Sequence, residues 1–421
     1  MIKSRCIYTL LLYLLLPFAL LRLLWRARRQ PEYLQHVAER FGRYRQPAPA
    51  PPLLWIHAVS VGETRAAEPL VRELRQRYPG HRILLTHMTP TGRATGAALF
   101  GEEVASCYLP YDFPSAVARF LDHFKPVAGI LIETEIWPNL VYACRARGTP
   151  LYLVNARLSE KSLAGYRRIA PLVAASLREF SAVAAQSADD AARLAALGAA
   201  GVKVTGNLKF DITPAPELIA RGTRWREQWG MNEGHTRPVL LAASTREGEE
   251  ALLLDALRAV DIPDLLLIVV PRHPQRFDEV AALLERAGVK YQRRSADAAL
   301  APDTRAVLGD SMGEMAAYYA ACDAAFVGGS LLRFGGQNLI EACAVGCPVI
   351  VGPHTYNFAE ATRLAVAAGA ALQVDTAAQV ARAAHDLLKD RARLRQMARA
   401  GLDFARDHRG ATARVLELIR L

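Results

Sequence analysis

Residues 53–78 read "LLWIHAVSVGETRAAEPLVRELRQRY". "LLWIHA" is a short apolar run of the kind that forms a buried strand, and "ETRAAEPLVRELRQRY" has helical periodicity. The join is a strand-to-helix turn, where nucleotide-binding folds usually place several glycines. Here it holds Gly62 and a carboxylate, Glu63. A carboxylate in place of those glycines departs from a phosphate-binding turn, so the nucleotide is expected elsewhere.

The alternation continues along the chain. "RILLTH", "VAGILIE", "PLYLVN", "FSAVAAQ" and "VKVTGN" are further strand candidates, separated by helical segments such as "WPNLVYACRARG". The first half therefore reads as a parallel sheet with helices on both faces, an α/β class. From Asp211 to Pro238 the pattern lapses into a proline-containing stretch with no strand, read as an interdomain connection. A second series follows in "PVLLAAS", "LLLIVVP", "AAFVGGS" and "CPVIVGP". A chain of 421 residues suits two such domains. The expected organisation is an apolar and basic anchor over 1–30, a Rossmann-like domain over 31–210, a linker over 211–237, a second Rossmann-like domain over 238–395, and a helix over 396–421 that packs back on the first domain. The C-terminal ends of both strand sets are expected to bound a central cleft.

The net charge of +11 is concentrated at the amino terminus. Residues 1–45 hold nine Lys or Arg against Glu32 and Glu39. They flank "CIYTLLLYLLLPFALLRLLW", Cys6–Trp25, which is near the lower length for spanning hydrocarbon. No small-residue cleavage site follows it, so an uncleaved anchor is expected in place of a signal peptide. The arginines after the segment outnumber Lys3 and Arg5 before it, which puts the bulk of the chain on the cytoplasmic side. Basic charge beside an apolar segment fits anionic membrane lipids; a nucleic-acid partner is not expected. Six scattered cysteines form no Cys-x-x-Cys pair, which suits a reducing compartment.

No G-x-G-x-x-G follows the first strand and no P-loop occurs, which argues against a dinucleotide dehydrogenase and a P-loop NTPase. No Cys/His cluster or Asp-x-Asp suggests a metal, and no cofactor is expected. Phosphate must then be met by backbone amides and basic side chains. "FVGGSLLRFGGQNLIEACAVGCPVIVGP" offers Gly328, Gly329, Gly335 and Gly336 before a helix opening near Gln337 and Asn338, whose amides favour an anion. Glu341 shares a helix face with Asn338 and can accept from ribose hydroxyls. Arg272 of "PRHP" ends a strand and can reach phosphate, or is a surface arginine stiffened by Pro271 and Pro274. In "DSMGEM", Gly313 and Glu314 open a helix, where Glu314 also fits simple dipole compensation. Glu133 and Glu135 of "ETEIWPN" end a strand, and Lys209 of "TGNLKFD" sits at the domain junction, facing the cleft or pairing with Asp211. "AASTREGEE" reads mainly as a helix cap, with Ser244 or Thr245 capping and Glu247 or Glu249 in the first turn.

Together these blocks, with "HAVSVGET" and "GPHTYNF", resemble in order the 3-deoxy-D-manno-octulosonic acid (Kdo) transferases of lipopolysaccharide synthesis, which have the two-domain GT-B fold. The resemblance implies inverting, metal-independent transfer of Kdo from CMP-Kdo to the lipid A precursor lipid IVA at the cytoplasmic face of the inner membrane. It implies Glu63 as general base, and Glu133 and Lys209 as transition-state stabilisers. It implies Pro271, Arg272, Met312, Gly313, Glu314, Asn338, Leu339, Ile340 and Glu341 as the CMP site. The family often has His-Asn-x-x-Glu-Pro where this chain has Gln337 through Ala342, so the start of that helix departs from the pattern. Two other readings stand: a GT-B enzyme using another nucleotide sugar, such as a UDP-hexosamine transferase or an epimerase, and a membrane-tethered polyanion binder without activity.

Overall fold

Leu53 and Trp55 enter one apolar core and Leu54 and Ile56 another, because successive side chains on a strand point to opposite faces. In the computed structural model, which describes residues 2–232 and 234–421, this strand is an inner strand of a seven-stranded parallel sheet. The strands are β1 (Leu53–His57), β2 (Arg82–His87), β3 (Ala105–Tyr108), β4 (Ala128–Ile132), β5 (Leu151–Ala156), β6 (Ala182–Ala185) and β7 (Lys203–Val204), in the order β3-β2-β1-β4-β5-β6-β7. Every residue of β1, β4 and β5 is buried. Helices on both faces cause this, and it is why those strands read as mostly apolar runs. Strand order reverses between β1 and β4, so the connections leaving them run to opposite faces and open a crevice at their C-terminal ends.

The chain divides into two compact units, Met1–Ile212 with Arg409–Leu421, and Thr213–His408. The helix Ala411–Leu418 is the part that returns: Val415, Leu416 and Ile419 share a core with Leu54 and Ile56. The helix Arg391–Asp407 stays with the second unit, where Met397 joins its core. The Asp211 carboxylate accepts from Gly410 N at 2.6 Å and Thr412 N at 2.5 Å, satisfying amides that the start of the returning helix leaves unpaired. Asp211→Ala is expected to destabilise the first unit by about 0.5–2 kcal/mol, as for other lost helix caps, measured by urea denaturation.

The second sheet is also parallel, with seven strands: β10 (Val239–Thr245), β11 (Leu266–Pro271), β12 (Tyr291–Arg293), β13 (Ala306–Leu308), β14 (Ala324–Val327), β15 (Val349–Val351) and β16 (Ala371–Gln373). A short antiparallel pair, β8 (Met231–Asn232) and β9 (His235–Thr236), precedes it. The order β12-β13-β11-β10-β14-β15-β16 reverses between β10 and β14. The stretch read from sequence as a bare connection is largely structured. Pro216–Trp229 is a helix with proline in its first turn, a position where the missing N–H costs nothing. Buried Trp225 stacks on Trp229 at 4.7 Å and meets Tyr318 at 5.1 Å, which anchors this helix to the second unit.

At the amino terminus, Ile2–Ala27 is one helix despite Pro17, and Ser4–Ala27 is long and apolar enough to cross a membrane. One stripe of it touches the first unit. Tyr8 Oη donates to Asp112 Oδ2 at 3.0 Å, Asn139 Nδ2 donates to Thr9 Oγ1 at 3.0 Å, and Tyr13 packs on Phe113 at 4.8 Å. Leu10, Leu14, Phe18 and Leu21, on the remaining surface, are exposed.

Candidate active site

The turn after β1 folds the Glu63 carboxylate back on itself. Ser60 is the N-cap of the helix Val61–Arg77, and Glu63 at its third position accepts from Val59 N at 2.7 Å and from Ser60 Oγ at 2.9 Å. Glu63 thus satisfies the amide just before the N-cap, while its own N donates to Ser60 Oγ at 3.5 Å. Each carboxylate oxygen accepts one bond here and has a second lone pair for a substrate proton. Burial first, then the neighbouring charges of Glu133 and Glu135, push the Glu63 carboxyl up to about 8. Glu135 is likewise pushed up to about 7 by burial and by Glu133, against the bond donated by Trp137 Nε1 at 2.6 Å. A carboxyl raised in this way is a stronger base than an ordinary glutamate.

With a folded value near 8 against an ordinary value of 4.5, the neutral form of Glu63 is the one that the fold favours. Its contribution to stability is complete below the ordinary value and is lost as pH rises through about 8. The melting temperature of wild type is therefore expected to fall relative to Glu63→Gln over that window, read by calorimetry at stepped pH.

Glu133 lies just past β4 with φ of 65°, a left-handed conformation that costs a residue with a side chain about 1–3 kcal/mol and clusters at functional sites. Its Oε1 lies 3.2 Å from Lys209 Nζ. The Asp211 carboxylate accepts from Gly410 N and Thr412 N at the start of the returning helix. The turn bearing Lys209 is positioned by Asn155, at φ 54° in β5, whose Oδ1 accepts from Leu208 N at 3.0 Å, and by Asn207, whose Oδ1 accepts from Lys209 N at 3.0 Å. Glu63, Glu133, Glu135 and Lys209 thus gather at the C-terminal edge of the first sheet, around its reversal point. This arrangement can withdraw a proton and hold a cation near the withdrawn charge.

The second unit assembles its own set. Pro271 ends β11, and the next residue, Arg272, donates through N to Thr245 O at 3.0 Å and through Nε to Gln337 Oε1 at 3.2 Å. Asn338 Nδ2 donates to Glu341 Oε1 at 3.0 Å, so these two share a face as expected. Leu339 and Ile340 are buried, and their side chains serve the core. Met312 is exposed beside Gly313, which has φ of 81°. Glu314 is more than a dipole compensator: its Oε1 accepts from Arg221 and from Arg294 at 3.2 Å, while Oε2 is buried without a hydrogen-bond partner.

Two sequence expectations fail here. The amides at Gly336 and Gln337 do not form an anion hole, since they donate to Gly329 O at 2.6 Å and Gly328 O at 3.1 Å. The two glycine pairs close the loop on itself, and the helix begins only at Ile340 and ends at Ala344. Nor is "AASTREGEE" mainly a cap, because the cap position of its helix is Gly248, with no side-chain bond. Its glutamates do other work. Glu249 accepts from Gly329 N at 2.6 Å and Leu331 N at 2.9 Å, and Glu250 pairs with Arg276. Among the described residues, no group of three or more His, Cys, Asp or Glu is arranged to hold a metal ion.

Comparison with known proteins identifies the family. Residues 35–212 match the family described as 3-Deoxy-D-manno-octulosonic-acid transferase (kdotransferase), and residues 224–403 match Glycosyl transferases group 1. A 3-deoxy-D-manno-octulosonic acid transferase of Bordetella pertussis is 46% identical over 99% of this chain and 99% of that protein. The chain belongs to the 3-deoxy-D-manno-octulosonic acid transferases. A second member, from Haemophilus influenzae, is 39% identical over 99% of this chain and 98% of its own length. The crystal structure of Anabaena HepE in complex with UDP covers 87% of this chain and 99% of its own, with a TM-score of 0.59 at 16% identity, which is a likeness of fold. This family member is thus a glycosyltransferase of two Rossmann-like units, GT-B in class. Asn155 was missed from the sequence, and Glu249 was read only as a first-turn residue, since each acts on backbone amides far along the chain.

Proposed function

We propose that this chain transfers Kdo from CMP-Kdo to a hydroxyl of lipid IVA, with inversion and without a metal, as a step of lipopolysaccharide core synthesis. The observation that carries the reading is the Glu63 carboxylate, raised by burial and flanked by the Glu133–Lys209 pair, in a chain of this family. In the reaction Glu63 takes the proton of the acceptor hydroxyl as its oxygen attacks the anomeric carbon. Lys209, oriented by Glu133, stabilises the negative charge that builds in the transition state. The leaving CMP is held in the second unit: Pro271 and Arg272 at the phosphate, Met312, Gly313 and Glu314 at the end of β13, and Asn338 through Glu341 at the ribose. Arg272 supplies the positive charge that the closed glycine loop does not.

The apolar helix Ser4–Ala27 anchors the chain in the inner membrane, with the catalytic units on the cytoplasmic side. Arg28 and Arg29, exposed just beyond it, meet anionic lipid headgroups. Mass spectrometry of purified lipid IVA after incubation with CMP-Kdo and the full chain tests the reading. It is expected to gain the mass of Kdo; an unchanged acceptor overturns the assignment. A UDP-sugar enzyme of the same fold is distinguished by equilibrium binding, where CMP is expected to bind at least about tenfold more tightly than UDP, a difference of about 1.4 kcal/mol.

A further inference from the structure

The second sheet reverses between β10 and β14, and the residues that leave those two strands are Arg246 and the Gly328–Gly329 pair. In open α/β sheets the ligand crevice lies at such a reversal. The turn and the loop touch through their backbones: a Cβ on Gly328 would sit 2.7 Å from Ser244 O, and Ser244 is itself left-handed at φ 53°. Glu249, with no exposed surface, clamps them together. Its Oε2 accepts from Arg246 N at 2.9 Å and Gly329 N at 2.6 Å, and its Oε1 accepts from Leu331 N at 2.9 Å. The Arg246 side chain runs past Gly329, whose Cβ would lie 3.5 Å from Arg246 Cγ, and its guanidinium stacks over Phe334 at 4.3 Å.

Arg246 therefore lies on the same loop that Arg272 reaches through Gln337. A Cβ on Gly329 would also lie 3.1 Å from Gln337 Nε2, so Gly329 separates the Arg246 side chain from the glutamine that Arg272 holds. Among the described residues, the carboxylate paired with the Arg246 side chain is Glu247, at 2.9 Å, and its side chain is 50% exposed. An exposed pair of this kind is worth about 0–1 kcal/mol, so a better placed anion displaces it.

The proposed donor carries two anionic groups: the phosphate that links CMP to the sugar, and the carboxylate of the octulosonic acid beside its anomeric carbon. Arg272 accounts for one. We propose that Arg246 grips the carboxylate of the donor sugar at the reversal point of the second sheet, and that Glu249 is the positioning residue that holds it there. The inference rests on the CMP-Kdo reading and adds to it a specificity determinant for sugar acids over neutral sugars on the same nucleotide. A planar guanidinium suits this task, since it meets both carboxylate oxygens with two parallel donors.

The test compares CMP-Kdo with CMP, which lacks the sugar, on the full chain in detergent. Arg246→Met is expected to raise KM for CMP-Kdo by about 10- to 100-fold, the range for a charged hydrogen bond, while the inhibition constant of CMP stays within about threefold. Arg246→Lys recovers part of the loss. Arg272→Met weakens both ligands, and so does Glu249→Gln, which loosens the loop they share. Equal effects of Arg246→Met on CMP and CMP-Kdo, or no effect on either, overturn the inference while leaving the donor reading intact. Failure of wild type to use CMP-Kdo overturns the donor reading itself, and the role of Arg246 with it.

Discussion

Glu63→Gln is expected to lower kcat by about 10²- to 10⁴-fold, the contribution of a general base, with KM for CMP-Kdo changed less than about threefold. The amide is nearly isosteric: its oxygen can accept from Val59 N while its NH2 donates to Ser60 Oγ, so both contacts that hold the side chain on its own helix turn are kept. It cannot take a proton from an alcohol. Folding is not the cause of the loss, since the fold disfavours the charged carboxylate that the substitution removes. Glu63→Asp keeps the base but withdraws it by one methylene, and is expected to fall between the two. A Glu63→Gln enzyme within about tenfold of wild type, below the low end for such catalysis, removes Glu63 from the role.

Glu250→Ala is expected to destabilise the second unit by about 3–5 kcal/mol, the cost of leaving one member of a buried ion pair alone. Glu250 is 3% exposed and Arg276 is 6% exposed, and the two meet through paired contacts of 2.7 and 3.0 Å. Thr245 Oγ1 donates to the same carboxylate at 2.6 Å, tying the end of β10 to the segment after Arg272. Without Glu250, the remaining carboxylate partner of Arg276 is Glu279, which is largely solvated. Replacing both Glu250 and Arg276 by Met is expected to recover most of the loss, because no buried charge is then left unpaired. Guanidinium denaturation of the three variants checks this, and CMP binding is expected to weaken with Glu250→Ala as the Arg272 segment loosens.

What could be read from the chain divides along sequence separation. The strands were legible because both faces of each sheet are covered, so β1, β4 and β5 are buried throughout and mostly apolar, with His57 and Asn155 the polar exceptions. Glu63 was legible because its turn directly joins a strand to a helix, and its capping partner Ser60 is three residues away. The role of Glu249 was not, because its carboxylate meets Gly329 N eighty residues later and its own helix start offers a plausible local use. The supposed anion hole failed for the same reason: amides at Gly336 and Gln337 look free locally and are consumed by Gly329 and Gly328 across the loop. The helix Pro216–Trp229 was obscured by Pro214 and Pro216 at its start, and the packing of Trp225 against Tyr318 shows what holds it in place.

The central claim, that Glu63 accepts the proton of the acceptor hydroxyl, is tested most directly by the pH dependence of kcat/KM for wild type and Glu63→Gln. The base must be ionised to act, so the wild-type rate is predicted to rise about tenfold per pH unit and to level near the raised value of about 8, while Glu63→Gln shows no such limb. The same rising limb in both enzymes, with comparable plateaus, contradicts the account.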